Sequence, residues 1–245
     1  MLVAGSSMAR AEEPRLVAGY DWSGFSAGVF GGWQSANFDQ TELHTDAFGG
    51  GWWFPPGPNP GYSYDDNSGI VGLQLGWDRQ NGNIVTGLGV EFGTMELKVT
   101  AADPNAPPIP ITDPPVPPGP VTTFSGDLFG SLTGRVGIAS DRWLAYVRAG
   151  VSLLDAEAVT DDICARSFCG QLTIAASGED VLFGLTAGGG AEYALSEKFS
   201  VGAEYRLYRF EGLTVSGVAS NLLAYRQTVT PDIVHTGRIS LNYRF

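Results

Sequence analysis

The fold class this sequence predicts is all-β: an eight-stranded antiparallel up-and-down transmembrane β-barrel with long extracellular loops. Three observations predict it. The last seven residues place Ile239, Leu241, Tyr243 and Phe245 at alternate positions, with Ser240, Asn242 and Arg244 between them. Alternate side chains of a strand face opposite sides, so one face is apolar to its end and the other polar, as a strand between lipid and a polar lumen requires. Secondly, 43% of the 245 residues are apolar, yet no run approaches the roughly 20 apolar residues of a membrane helix. Thirdly, candidate strands are joined by connections that alternate short and long, the asymmetry of barrels with tight periplasmic turns and long external loops.

The elements follow in order. Strand one covers roughly 21–34, with Phe25, Ala27, Val29, Gly31 and Trp33 on one face. Strand two, 69–79, turns Val71, Leu73, Leu75 and Trp77 outward, and the hairpin signal Gln80-Asn81-Gly82-Asn83 follows. Strand three, 84–99, presents Ile84, Thr86, Leu88, Val90 and Phe92 to lipid, and strand four, 124–139, presents Leu128, Gly130, Leu132, Val136 and Ile138. After a tight turn at 140–143, strand five, 144–153, carries Ala145, Val147, Ala149, Val151 and Leu153 outward. Strand six, 181–195, and strand seven, 199–210, are joined across Ser196-Glu197-Lys198, and strand eight is 233–245. Segments 170–177 and 213–219 leave extra hairpins, and hence ten strands, as an alternative. At the other end, residues 1–11 read as a signal-peptide remnant with an Ala9-Arg10-Ala11 cleavage shape; the barrel domain is expected over 12–245.

The inward faces carry charge: Glu91, Asp127, Arg135, Arg148, Glu192, Glu204, Arg206 and Arg238. Side chains just fill an eight-stranded barrel, and charges inside it must be paired or hydrated. Four acids and four bases fit a salt-bridged plug; a narrow path for small ions is the alternative. Inward glycines, among them Gly87, Gly188 and Gly190, leave room for these long side chains.

The net charge of −12 has a location. Connections taken as 35–68, 101–121, 155–180 and 211–232 hold 15 acids against Arg166 and Arg226. Such a surface disfavours nucleic acid and suits divalent cations or basic partners. In the first connection, Trp52, Trp53, Phe54, Tyr62 and Tyr64 either contact an extracellular protein or glycan, or cap the barrel mouth. Nine prolines in the second predict a stiff or disordered excursion. Cys164 and Cys169 close a short ring and are expected to form a disulfide in an oxidising compartment. Two thiols without a neighbouring histidine make no metal site, and nothing in the sequence calls for a cofactor. Chemistry finds little purchase: His235 has no adjacent nucleophile, Ser240 falls on the opposite face, and His44 lies in the first long connection. The expectation is therefore a non-enzyme.

Several segments carry a resemblance. Tyr20-Asp21-Trp22-Ser23-Gly24-Phe25-Ser26-Ala27-Gly28, Gly134-Arg135-Val136-Gly137, Trp143-Leu144-Ala145-Tyr146-Val147, Gly188-Gly189-Gly190-Ala191-Glu192-Tyr193, Val201-Gly202-Ala203-Glu204-Tyr205-Arg206 and Tyr243-Arg244-Phe245 are similar to small outer-membrane β-barrel proteins of alphaproteobacteria. That family includes porin-like surface antigens and haemin-binding proteins. The resemblance covers the strands, not the loops. It implies an OmpA-like membrane domain in the bacterial outer membrane, in contact with lipid and lipopolysaccharide. Ile239, Leu241, Tyr243 and Phe245 resemble the signal read by the barrel-assembly machinery. The resemblance transfers no haem-binding residue. The functional expectation is a structural and surface-interaction role with a charge-plugged lumen; a narrow porin-type channel and a lipid-modifying barrel enzyme are the alternatives.

Overall fold

A computed structural model describes residues 19–43, 62–102, 121–163, 173–219 and 224–245. The described residues form nine strands: β1 (Gly24–Leu43), β2 (Tyr62–Asn81), β3 (Ile84–Ala102), β4 (Val121–Ser140), β5 (Trp143–Ile163), β6 (Thr173–Ala194), β7 (Phe199–Phe210), β8 (Leu213–Ala219) and β9 (Ala224–Arg244). They make one antiparallel sheet that closes where β1 meets β9. β7 and β8 are two halves of one wall position. Both pair with β6 on one side and β9 on the other, with Glu211 and Gly212 as the break between them. The barrel therefore has eight staves. Residues 213–219 continue the wall, as does the start of β6 at Thr173, so the extra-hairpin alternative does not hold.

The strands are about twice as long as the 9–11 residues a tilted membrane crossing needs: β5 has 21 residues and β6 has 22. Much of what the sequence suggested as external loop is wall. Residues 35–43, 62–68, 155–163, 173–180 and 224–232 are all strand. The reason is a change of phase. On β5, Trp143, Val147, Val151 and Leu153 face out while Leu144, Tyr146 and Arg148 are buried. From Leu154 onward the buried set is Leu154, Ala156 and Ala158, and the outward set includes Asp155, Glu157 and Asp161. β3 does the same, with Val90 and Phe92 outside but Met95, Leu97 and Val99 inside. The half of the barrel at the short-turn end thus shows grease to its surroundings and polarity to its lumen. The other half has the opposite pattern, that of a water-surrounded barrel.

Bulges do something different: they switch which parity of a strand faces the lumen, on β4 and on β9. On β4 the register slips between Gly126 and Phe129 against β5, and on β3 between Thr94 and Leu97 against β4. Phe124 is therefore buried at an even position and Phe129 at an odd one. A third slip lies at the closing seam, between Ala36 and Phe38 of β1, where β9 supplies Val234 and then Pro231. Proline has no N–H to give the ladder, and a bulge accommodates it.

Candidate functional site

The interior is layered. At the short-turn end, Trp22 is fully buried among Val85, Ala139, Leu144, Tyr146 and Ala194. It does not belong to a strand: residues 19–23 lie across the barrel mouth before β1 begins at Gly24.

Above Trp22 sits a charged layer, which is the candidate site. Its lower part joins four strands. Arg135 of β4 grips the Asp78 carboxylate of β2 with two donors, at 2.8 and 2.5 Å, and reaches Glu192 of β6 at 2.6 Å. Arg244 of β9 lies 3.5 Å from the same Asp78. The upper part is built round Glu91 of β3. Arg148 donates to it at 2.9 Å and Arg238 at 2.7 and 3.1 Å, and Arg206 holds both of its oxygens. Glu204 of β7 takes donors from Arg206 at 2.6 Å, from Arg238 at 2.9 Å and from the Tyr146 hydroxyl at 2.7 Å. The Tyr146 ring lies between the lower and upper parts, with the guanidiniums of Arg135 and Arg148 each 5.2 Å from its centre. Glycines give the arginines room. Gly188 and Gly190 face Arg206 and Glu204 across the β6–β7 ladder, and an added Cβ at either would meet the partner's Cα at 3.0 Å.

This arrangement satisfies what the buried carboxylates demand; among the described residues, the Nε atoms of Arg148 and Arg244 are buried without a hydrogen-bond partner. Each carboxylate receives more than one cationic or hydroxyl donor, and the forked guanidiniums match the carboxylate geometry. Five guanidiniums (Arg135, Arg148, Arg206, Arg238 and Arg244) face four carboxylates (Asp78, Glu91, Glu192 and Glu204). Asp21, at the mouth, adds a fifth acid: hydrogen bonds from Ser23 hold its carboxyl below the usual range, and Arg244 lowers it further. Between Gln74, Glu91, Thr133, Arg135, Arg148, Glu192 and Asn242 remains a cavity of about 20 Å³, room for a single water.

An apolar layer closes the lumen above the charges. Phe30, Phe129, Leu154, Leu182, Tyr208 and Phe210 start it, and Phe38, Met95, Leu97, Phe124 and Val229 continue it. Beyond these, Gln40, Thr122, Thr160 and Gln227 form a buried polar layer bonded strand to strand.

A family model described as an outer membrane protein beta-barrel domain matches residues 1–245. The chain belongs to that family. Its place is the bacterial outer membrane, so the short-turn end is periplasmic and the phase-inverted half external. Among solved structures, OprG from Pseudomonas aeruginosa aligns at 12% identity over 93% of this chain and 98% of its own, with TM-score 0.50. Ail, the attachment invasion locus protein of Yersinia pestis, aligns at 13% identity over 91% of this chain and 99% of its own, with TM-score 0.45. The outer membrane protease OmpT from Escherichia coli aligns at 10% identity over 94% and 99%, also at 0.45. At such identities the likeness is one of fold. No curated protein sequence matches the chain.

Of the eight charges expected in the lumen of this outer-membrane barrel, seven come together. Asp127 does not. It is exposed, because the β4 bulge turns both Asp127 and Leu128 outward and breaks the alternation that parity counting assumes. Sequence reasoning missed Asp78 and Arg244, although both sit on the inward parity of their strands, at the end nearest the turns. Trp22 falls inside the first strand expected from Asp21, whereas β1 begins at Gly24, so strand alternation gives no sign of a plug there.

Tyr64, expected in the first long connection, lies in β2 instead. It packs inward, stacked on Phe38 with ring centres 5.7 Å apart, and donates to Gln40 at 3.2 Å. Burial pushes its phenol up to about 12, and Asp39 adds to the effect. Tyr62 begins β2, with its side chain outside the described residues. Trp52, Trp53, Phe54, His44, Cys164, Cys169 and the signal remnant 1–11 also lie outside them. His235 holds the Tyr205 hydroxyl at 2.6 Å through Nδ1. Ile239, Leu241 and Phe245 face outward, and Tyr243 packs against Phe199 and Phe245.

Proposed function

We propose that this outer-membrane barrel is a closed wall element with a structural and surface-interaction role, not an open pore. The observation that carries the reading is the charged layer. Arginines and carboxylates from seven strands fill the lumen by pairing with one another, and the space left among them suits one water. The apolar layer above adds a second barrier: a hydrated ion would shed its water among phenylalanines. In this reading the membrane half anchors the protein in lipid and lipopolysaccharide after insertion by the barrel-assembly machinery, which reads Ile239, Leu241, Tyr243 and Phe245. The external half then raises its connections, with Trp52, Trp53 and Phe54 among them, toward an extracellular protein or glycan. The reading needs no enzyme chemistry, metal or cofactor. The pairing of His235 with a tyrosine rather than a serine agrees with that.

The test is conductance of the refolded protein in planar lipid bilayers. The wall-element reading expects a silent bilayer. Reproducible single-channel steps would favour the narrow channel, the second reading that the water-sized pocket beside Arg135 and Arg148 keeps in view.

A further inference from the structure

The segment at the periplasmic mouth is a device of its own. Residues 19–23 lie outside the ladder, yet they touch the barrel at four separate places. The Tyr20 amide donates to the Asp141 carbonyl in the β4–β5 turn at 3.2 Å, and the Tyr20 hydroxyl to the Glu197 carbonyl in the β6–β7 turn at 3.3 Å. The Trp22 amide donates to the Gln80 side chain of β2 at 2.8 Å, and the Gln80 amide returns a bond to the Ser23 hydroxyl at 3.1 Å. On β9, the Arg244 guanidinium donates to the Trp22 carbonyl, and it lies 5.5 Å from the Trp22 ring and 5.9 Å from that of Tyr20. The segment leaves β1 at Gly24, whose φ of +117° other residues rarely adopt. Gly24 is thus a built-in corner that swings the chain from the wall across the opening.

Two features make this a docked part rather than an extension of the wall. Its partners lie on four different wall positions, so they are assembled around one segment only once the barrel has closed. Its hold is also incomplete: among the described residues, the buried Trp22 indole N–H has no hydrogen-bond partner, which weakens docking relative to a fully paired plug. Arg244 links the segment inward, through Asp78, to Arg135 and Glu192. We propose that residues 19–23 are a hinged strap that docks on the closed barrel, seals its periplasmic mouth with Trp22, and is released without opening the wall. This goes beyond the closed charged layer, and its test does not depend on conductance.

Chymotrypsin, which cuts after aromatic residues, tests the strap on the refolded full-length protein in detergent micelles. Products cut after Tyr20 and Trp22 are followed by mass spectrometry, and the barrel by its heat-modifiable migration on gels. In the wild type, cutting at these two bonds should be slow. Arg244→Gln and Gln80→Ala each remove one anchor and should speed cutting after Tyr20 about tenfold or more while the barrel stays heat-modifiable. If Arg244→Gln fails to fold, Gln80→Ala carries the test alone. Wild-type cutting at the variant rate, or protection unchanged in Gln80→Ala, would overturn the proposal. So would loss of heat-modifiable migration once the strap is cut, since the segment would then be part of the wall.

Discussion

At the scale of single residues, Glu91 is the keystone of the lumen. It accepts from Arg148, Arg206 and Arg238, the same three guanidiniums that pair with Glu204, and its side chain is fully buried. Removing one member of a buried ion network strands the others, which typically costs about 3–5 kcal/mol. Glu91→Gln keeps the shape and removes the charge, leaving three guanidiniums to share Glu204. The expected result is destabilisation of about 3 kcal/mol or more, read as a lower urea midpoint for the refolded protein in lipid vesicles. Asp127→Asn is the matched control. Asp127 is exposed, and surface changes of this kind stay within about 0.5 kcal/mol. Equal effects from the two variants would mean that Glu91 is not the centre of the network. The contrast also marks where sequence reading stops. Alternation placed Glu91 and Asp127 alike on inward faces, but a one-residue bulge in β4 leaves no trace in residue types. Asp78 and Arg244, in contrast, were legible: each occupies the inward parity of its strand and was overlooked for lying next to a turn or terminus.

At the scale of elements, one strand changes solvent along its length. The sequence template sought apolar residues on a single parity and therefore ended strand five at Leu153, where that parity becomes acidic. The opposite parity takes over at the next residue, and Leu154, Ala156 and Ala158 then point inward. The pair Leu153-Leu154 was thus a visible mark of the change, as were Phe92 and Met95 on β3. A charge scan along the outward face of β5 checks this. Val147→Arg places a cation against hydrocarbon and should cost about 2–4 kcal/mol near mid-membrane. Asp155→Arg, eight residues on but on the same face, should change folding stability by no more than about 0.5 kcal/mol. Ala158→Arg, inside the external half, should again be severe, because a lone cation would enter the layer around Phe124 and Val229. Refolding yield into lipid vesicles and the urea midpoint read all three. Equal tolerance at 147 and 155 would place residue 155 in lipid and void the phase change.

At the scale of the whole molecule, strand length and belt height disagree in a useful way. Strands of 19 to 22 residues at about 3.3 Å per residue, tilted by about 40°, give a wall roughly 50 Å tall. The apolar belt of an outer-membrane barrel is only about 25 Å tall. On β2 it runs from Val71 to Trp77 and on β3 from Ile84 to Phe92, next to the short turn in both cases. The belt is therefore pushed to the periplasmic end, and the remaining wall, with its acidic outer face and apolar filling, stands on one side of the membrane. Neutron reflectometry on the protein inserted in one orientation in a supported bilayer should find protein density extending roughly 25 Å beyond the outer edge of the hydrocarbon layer and almost none beyond its inner edge. The acidic surface of that projection includes Asp39, Asp155, Glu157 and Glu179. Added salt should weaken its capture of a basic probe such as polylysine, since exposed charges are screened over about 10 Å at 0.1 M. Density divided evenly between the two sides would mean that the belt sits at mid-barrel. The inward Phe38, Phe124 and Val229 would then line a membrane-level lumen rather than the core of a projecting stalk, and the acidic collar would lose its distance from the lipid.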